Sequence, residues 1–437
     1  MKEQLATQMT TSIVKPATNY RWLMVFLSTG VFMASFMDRV NVAAAAPFLM
    51  KTFELTSVQM GTLMSAFFWP YMLLQAPSGW LMHHVRPRFV VFWSCFGWGL
   101  TTVLTGLAQG FNSFLALRVA LGITEAPALP INSHLISVWI PKRERTLATA
   151  IPDSAARFIN AITVPLCVWI ITHWGWQISF VVTGGIAMAY SFVWLWGYRD
   201  PDQHPKVSAS ELAYIRQDAE TDAAGNVKKA AKVPMLKMLS NIRYDLACLG
   251  YWQYIYIWTV YIMWIPSYLV KFKGFTPTAM GEATMIAFFA GTFFEVAGGY
   301  YCDKWLQSGA SLTTVRRFGT GIAYTVTAIG IYVTVTAADN TMTVFGLALG
   351  MSALSFGASH FWAVANDLAP YGQGGSFSGL QNTIGQTAAI IAPILTGYMI
   401  DKTSLGFNGA LYLVILSCAI GVIAYALNTY EKKIEIE

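Results

Sequence analysis

Long apolar runs recur along almost the whole of this 437-residue chain, and they constrain its fold more than any other feature. Many approach the roughly 20 apolar residues that an α-helix needs to cross the hydrocarbon core of a bilayer. Only 11% of the residues are charged, whereas about 25% is usual in soluble domains. The sequence therefore predicts an integral membrane protein built from helices.

The apolar runs divide the chain into twelve predicted spanning helices. Their predicted bounds are 22–48, 58–82, 89–109, 114–139, 146–172, 178–198, 243–270, 278–302, 318–336, 342–368, 376–400 and 408–428. The longest polar stretch separates the sixth helix from the seventh. We therefore predict an N-terminal half over residues 1–198, a cytoplasmic connector over 199–242 and a C-terminal half over 243–437.

A weak internal repeat supports this division. GWLMHHVRPR begins at Gly79 after the second predicted helix, and GYYCDKWLQSG begins at Gly299 after the eighth. Such repeats occur in transporters whose halves rock around a binding site near the bilayer midplane. The predicted fold is all-α and integral to the membrane, with two pseudo-symmetric six-helix halves around a central cavity.

The basic residues predict the orientation in the membrane. With both termini in the cytoplasm, 21 of the 28 Lys and Arg residues fall on the inner side and four fall in outer loops. This distribution satisfies the positive-inside rule. The net charge of +6 therefore reflects topology and contact with membrane lipids, and it gives no argument for nucleic acid.

Seven of the charged residues within the predicted helices are candidates for groups at membrane depth, where an ionisable group costs about 2.5–3.5 kcal/mol at the bilayer centre. Such groups normally face a partner or a water-filled cavity, so their number predicts a hydrated central cavity. They are Asp38, Arg39, Arg118, Glu125, Asp153, Arg157 and Glu295.

The sequence shows no pattern typical of an enzyme or a metal site. It contains no glycine-rich phosphate loop ending in GK[ST], no HExxH and no GxSxG. Its five cysteines lie in or beside apolar segments without the spacing of metal ligands. We therefore predict that the protein is not an enzyme and has no metal and no cofactor other than protons. The intramembrane charges and the internal repeat together favour a secondary transporter, with a channel or sensor as the alternative.

Several motifs resemble the major facilitator superfamily and, within it, the anion:cation symporter family. They are the pair Asp38 and Arg39, the glycine-started loops at Gly79 and Gly299, RVALGITEAPALP with Arg118 and Glu125, and VWIPKRERT. The stretch GITEAPALPINSHLISVWIPKRER is similar to the D-galactonate transporter group. The resemblance covers nearly the whole chain. It implies a monomer in the inner membrane that couples a small organic anion to protons.

The resemblance also implies roles for the intramembrane charges. Arg39 matches the arginine that binds the substrate carboxylate, and Asp38 and Glu125 match carboxylates that carry protons. The alternative for Arg39 is a structural counter-ion for Glu125, and both roles can hold in one cycle. The alternative for Asp38 is a permanent bond to a neighbouring helix. Arg118 precedes Glu125 by about 10 Å along an ideal helix, so we expect no direct contact and assign Arg118 a supporting role.

Further site residues come from the same resemblance. Tyr71 and Asn382 match substrate-facing positions, and Gln381 belongs to the same polar cluster on helix 11. Asp303 keeps the family aspartate in the loop after helix 8 and is expected to act in gating, whereas His83 stands at the matching position of the N-terminal half.

An aromatic face on helix 7 is more typical of packing than of ligand binding. It consists of Tyr251, Tyr254, Trp258 and Tyr261.

Two departures from the galactonate-type pattern leave the substrate open. Phe36 stands at a family tyrosine position, and Ala156 stands at a polar glutamine position. Beside Ala156, Arg157 has the i,i+4 spacing of an ion pair with Asp153. Arg157 either serves only that supporting pair, binds a second carboxylate, or supplies the substrate hydrogen bonds that Ala156 cannot make.

The function predicted from the sequence is proton-coupled import of an organic carboxylate by alternating access. A sugar acid such as a hexonate, hexuronate or hexarate is the first expectation for the substrate. The alternative is an aromatic carboxylate or a dicarboxylate. The coupling ion is the proton, and no other cofactor is expected.

Overall fold

The computed structural model describes residues 18–141, 144–217, 235–370 and 373–434, and within these ranges it contains helices and turns but no strand. Twelve long helices or pairs of helical segments follow one another. They are α1 (Tyr20–Thr52), α2 (Ser57–Ala66 and Phe68–His84), α3 (Pro87–Thr105), α4 (Phe111–Glu125 and Ala128–Trp139), α5 (Arg145–Trp174), α6 (Trp176–Gly197), α7 (Ile242–Lys271), α8 (Pro277–Gln307), α9 (Leu312–Thr336), α10 (Asn340–Phe356 and Ala358–Leu368), α11 (Gly374–Lys402) and α12 (Gly406–Ala426).

The all-helical transmembrane fold predicted from the sequence is confirmed. Within the described ranges, nine of these helices are long and apolar enough to cross a membrane by length and composition alone. The other three are α2, α3 and α7. In α7, tyrosine and tryptophan lower the hydropathy, yet most of its residues are buried inside the protein. The boundaries of the two halves at 198 and 243 remain predictions. The cytoplasmic orientation of the termini is also still a prediction.

Prolines explain two interruptions that the sequence analysis did not predict. In a helix, proline cannot donate to the carbonyl four residues earlier, and its ring clashes with that carbonyl. Pro70 stands four residues after Ala66, where the first segment of α2 ends. Pro130 stands four residues after Ala126, where α4 is interrupted. Both breaks lie beside residues that line the central cavity.

The two halves pack backbone to backbone at the end of the bundle away from the chain termini. A Cβ atom added to Gly61 of α2 would lie 2.2 Å from the Pro393 carbonyl oxygen of α11. A Cβ atom added to Gly397 of α11 would lie 2.3 Å from the Ser57 carbonyl oxygen. Because any side chain would collide here, glycine at both positions allows α2 and α11 to meet.

At the other end of the bundle, a short helix of the connector, Ala209–Arg216, is attached to the start of α1. Glu211 is completely buried and accepts hydrogen bonds from Thr18 Oγ1 at 2.5 Å and from the backbone nitrogen of Arg21 at 3.0 Å. The Arg21 side chain lies 3.4 Å from Glu211 and donates to Glu144 at 2.8 Å. This network ties the connector to the N-terminal half.

We expect Glu211→Ala to destabilise the protein by about 2–4 kcal/mol, because it leaves buried donors unpaired and removes one partner of a buried cation. Thermal unfolding of the detergent-purified protein measures the change. Glu211→Gln keeps one acceptor oxygen and is expected to lose less stability. An alanine variant as stable as the unsubstituted protein would show that the network contributes no net stability.

Candidate functional site

A central cavity lies between the two halves, near the middle of the long helices. Its volume is about 1000 Å³, counted with the space open to solvent. Helices α1, α2, α4 and α5 line one side, and α7, α10 and α11 line the other. Among the described residues, three charged side chains lie in the wall: Arg39, Asp153 and Arg157.

Arg39 lines the cavity from α1 and is held by Glu125 of α4. Its Nε and Nη2 atoms both donate to Glu125 Oε1, at 2.8 and 2.6 Å. Ser35, one turn before Arg39, donates to the same oxygen at 2.6 Å. Glu125 is completely buried, and its Oε2 atom has no hydrogen-bond partner among the described residues. A substrate carboxylate and Glu125 can therefore compete for one guanidinium group.

Three aromatic rings surround the Arg39 guanidinium at cation–π distance. The guanidinium carbon lies 4.9 Å from the ring centre of Phe36, 5.0 Å from that of Phe67 and 4.7 Å from that of Tyr71. Phe36 thus lacks the hydroxyl expected at its position but keeps the ring beside the arginine. The departure changes the polarity of the wall and leaves the ring in contact with Arg39.

Asp38 does not line the cavity and points into the N-terminal half. It is completely buried, and neither carboxylate oxygen has a hydrogen-bond partner within the described ranges. Thr102 and Thr183 lie beside it, and the charges of Arg118 and Glu125 act on it through space. Thr102 belongs to α3 and Thr183 to α6, so a bond from Asp38 to a neighbouring helix and a proton-carrying role both remain predictions.

Arg118 is buried on α4, and its guanidinium carbon lies 5.7 Å from the Phe114 ring centre. In the described part of the chain it makes no ion pair with Glu125, in line with their two-turn spacing. Its position near Asp38 and Glu125 places a permanent positive charge behind both candidate proton carriers.

Arg157 connects the two halves across the cavity. It is buried on α5 and forms an ion pair with Glu295 of α8. Its Nη2 atom donates to Tyr254 Oη at 3.0 Å, and its guanidinium carbon lies 4.5 Å from the Trp258 ring centre. Asp153 is farther away, with 3.9 Å between Nη2 and Oδ2, and its side chain is 43% exposed. The expectation of a self-contained pair with Asp153 is corrected, because a closer carboxylate comes from the other half.

Only one of the two predicted site residues on α11 lines the cavity. Asn382 does so, and its Oδ1 atom accepts hydrogen bonds from Tyr251 Oη and Gln386 Nε2, both at 3.3 Å. Gln381 is completely buried, and its Nε2 atom lies 3.5 Å from the Phe361 carbonyl oxygen of α10. Consecutive helical residues point about 100° apart. The prediction that Gln381 contacts substrate is therefore corrected.

Asp303, which is predicted to act in gating, does not line the cavity. Asp303 is exposed near the end of α8 and makes no ion pair with a described residue. Nearby, Arg316 of α9 donates to Asp367 of α10 at 2.7 Å. The side chain of His83 lies outside the described part of the structure. A gating role for Asp303 remains a prediction.

The sequence analysis missed several residues of the cavity wall. Tyr251, Tyr254 and Trp258 line the cavity, although packing was the more typical role for the aromatic face of α7. Their spacing of three or four residues was the available signal, since it places them on one face beside a predicted cavity. Ser35 lies four residues before Arg39, so the same spacing rule places both on one face of α1. Nothing in the sequence indicated that Glu295 would meet Arg157.

Comparison with known proteins is consistent with this architecture. Residues 27–393 match the Major Facilitator Superfamily. The chain is 31% identical to the probable galactarate/D-glucarate transporter GarP of Escherichia coli K12 over 425 residues, which cover 94% of this chain and 95% of the relative. It is 31% identical to the D-galactonate transporter of Escherichia coli O6:H1 over 412 residues, which cover 93% and 94% of the two chains.

A solved structure shows the same fold. The bacterial homologue of the human lysosomal transporter Spinster, in an inward-facing and unoccupied conformation, matches with a TM-score of 0.75 at 15% identity, over 94% of this chain and 97% of that chain. The helical fold, the central cavity and the family match over most of the chain all indicate the same class of protein. The protein is a membrane transporter and belongs to the Major Facilitator Superfamily.

Proposed function

We propose that the protein is a proton-coupled symporter that imports a sugar acid across the inner membrane by alternating access, with both termini in the cytoplasm. The observation that carries this proposal is the pair of Arg39 and Glu125. A permanent cation in the cavity wall is bound by a buried carboxylate that has one oxygen without a hydrogen-bond partner among the described residues. Protonation of Glu125 weakens its hold on Arg39 and frees the guanidinium for a substrate carboxylate.

The transport cycle follows from this competition. A sugar acid and a proton enter the cavity, Arg39 binds the carboxylate, and Glu125 holds the proton. Loading neutralises the charges that would otherwise face the low-dielectric interior, so the loaded protein changes conformation at lower cost. Asp38, buried behind Arg39 without a hydrogen-bond partner in the described ranges, is a second proton carrier. The charge of Arg118 lies near both carboxylates.

Polar groups in the wall suit a hydroxylated substrate. Tyr71 contributes a phenol beside Arg39, while Asn382 and Gln386 contribute amides from the opposite half. The names of the relatives, a galactarate/D-glucarate transporter and a D-galactonate transporter, support a sugar acid.

One observation favours a second candidate substrate, an aromatic carboxylate. Four aromatic side chains of α7 and α10 line the cavity: Tyr251, Tyr254, Trp258 and Trp362. An aromatic ring buries a large apolar area and gains further from offset or edge contacts with other rings. Phe36 and Ala156, which lack polar side-chain groups, make the wall more suitable for such a substrate.

Uptake into proteoliposomes tests the proposed function. The purified protein is given an inward proton gradient and a panel of hexonates, hexuronates, hexarates and aromatic acids. Accumulation of a sugar acid that a protonophore abolishes is the expected result. Accumulation of aromatic acids alone would favour the second candidate, and equal uptake without a proton gradient would refute proton coupling.

We expect Arg39→Lys to raise the KM for uptake about tenfold, because lysine keeps the charge but loses the planar fork and the stacking on aromatic rings. Initial uptake rates over a range of substrate concentrations measure the change. Arg88→Lys is the matched control, since Arg88 donates to the Leu195 carbonyl oxygen away from the cavity. An unchanged KM in Arg39→Lys would remove Arg39 from the substrate site.

A further inference from the structure

The cavity wall contains a second arginine that the proposed cycle does not use. Arg157 lines the same cavity as Arg39. Each guanidinium lies against aromatic rings and beside one buried or nearly buried glutamate, Glu125 for Arg39 and Glu295 for Arg157. The Nη1 atom of Arg157 is buried without a hydrogen-bond partner in the described part of the chain.

We propose that Arg157 binds the second carboxylate of a dicarboxylic sugar acid whose first carboxylate is bound by Arg39. This inference rests on the proposed function, and it narrows the substrate from sugar acids in general to hexarates. Arg157 is then the residue that distinguishes a hexarate from a hexonate, which carries a hydroxymethyl group in place of the second carboxylate.

The chemistry of the wall supports this assignment. A buried arginine fork matches the geometry of a carboxylate and forms charge-assisted hydrogen bonds with it. Ala128 and Ala156 are small residues of the same wall and leave space on the N-terminal side. Phe36 and Ala156 also offer a substrate hydroxyl no hydrogen-bonding group. A hexarate and the matching hexonate carry the same hydroxyl groups at C2 to C5, so the distinction between them rests on the second negative charge.

Because of the position of Glu295, substrate binding at Arg157 changes a contact between the two halves. Arg157 belongs to α5 of the N-terminal half, whereas Glu295 belongs to α8 and Tyr254 to α7 of the C-terminal half. A substrate carboxylate that takes the guanidinium replaces a bond between the halves. A hexarate releases this bond and a hexonate leaves it intact, so only the dicarboxylate engages both arginines before the halves move.

Galactarate and galactonate form a matched pair of test substrates, because they share the hydroxyl groups at C2 to C5 and differ only at C6. Initial uptake rates into proteoliposomes give kcat/KM for each. We expect the unsubstituted protein to prefer galactarate. We expect Arg157→Gln to lower kcat/KM for galactarate about 30-fold, the loss typical of removing one partner of a buried charge pair. For galactonate, the change should stay within about threefold, the scatter usual for a substitution that removes no substrate interaction.

Two further variants separate binding from folding. Arg157→Lys keeps the charge without the fork, and we expect an intermediate loss confined to galactarate. Glu295→Gln removes the competing carboxylate, and we expect the ratio of galactarate to galactonate uptake to rise. If Arg157 only stabilises the structure, kcat/KM should fall equally for both substrates in every variant. That result, or a preference of the unsubstituted protein for galactonate, would overturn the inference while the proposed function stands. Uptake of no sugar acid in the panel would overturn both.

Discussion

Replacing Glu125 by glutamine is expected to abolish proton-driven accumulation while exchange of substrate across the membrane continues. Glutamine can still accept the hydrogen bonds that Arg39 and Ser35 donate to Oε1, but it cannot take up a proton. A gradient of two pH units sustains about 100-fold accumulation per coupled proton, because one unit corresponds to about 1.4 kcal/mol. If coupling requires Glu125 even with Asp38 present, the variant should bring substrate only to equal concentrations on the two sides.

Accumulation under a proton gradient measures proton coupling, and counterflow without a gradient measures the exchange of substrate. Glu282→Gln is the matched control, because Glu282 is an exposed glutamate on α8 and should leave both measurements unchanged. Loss of counterflow together with accumulation would assign Glu125 to substrate binding. Full accumulation in Glu125→Gln would move proton coupling to another group, of which Asp38 is the first candidate.

Much of the fold could be predicted because bilayer thickness fixes the length of each spanning helix. The predicted range 22–48, for example, falls within α1, and 408–428 overlaps nearly all of α12. The breaks in α2 and α4 were missed because the apolar pattern continues through Pro70 and Pro130. Their effect depends on a missing hydrogen bond four residues earlier, which a hydropathy pattern does not register.

The candidate site could be predicted only in part. The cost of burying charge indicated which ionisable residues to examine, and Arg39 and Glu125 proved to be a hydrogen-bonded pair. For Arg157, spacing along the chain suggested Asp153, but packing of α5 against α8 brought Glu295 closer. Sequence spacing reports neighbours on one helix, whereas partners on different helices depend on how the helices pack together.

Gly61→Val is expected to slow transport strongly by preventing the halves from packing at the end away from the termini. The nearest atoms to an added Cβ belong to the backbone of α11, with the Pro393 carbonyl oxygen at 2.2 Å. A backbone carbonyl cannot turn aside as a flexible side chain can. An overpacking cost of about 3 kcal/mol lowers the population of the packed state about 150-fold. Alternating access requires that state, so the uptake rate should fall by a similar factor.

The geometry also indicates suitable controls for this effect. Gly397→Val tests the reciprocal contact, since its Cβ would lie 2.3 Å from the Ser57 carbonyl oxygen, and it should slow transport as Gly61→Val does. Gly379→Val places the same side chain on α11 in open space and should have little effect. Because the clash lies between the halves, each half should still fold, and the purified variants should elute as monodisperse protein. Uptake at the normal rate by Gly61→Val would mean that transport does not require α2 and α11 to meet at this contact.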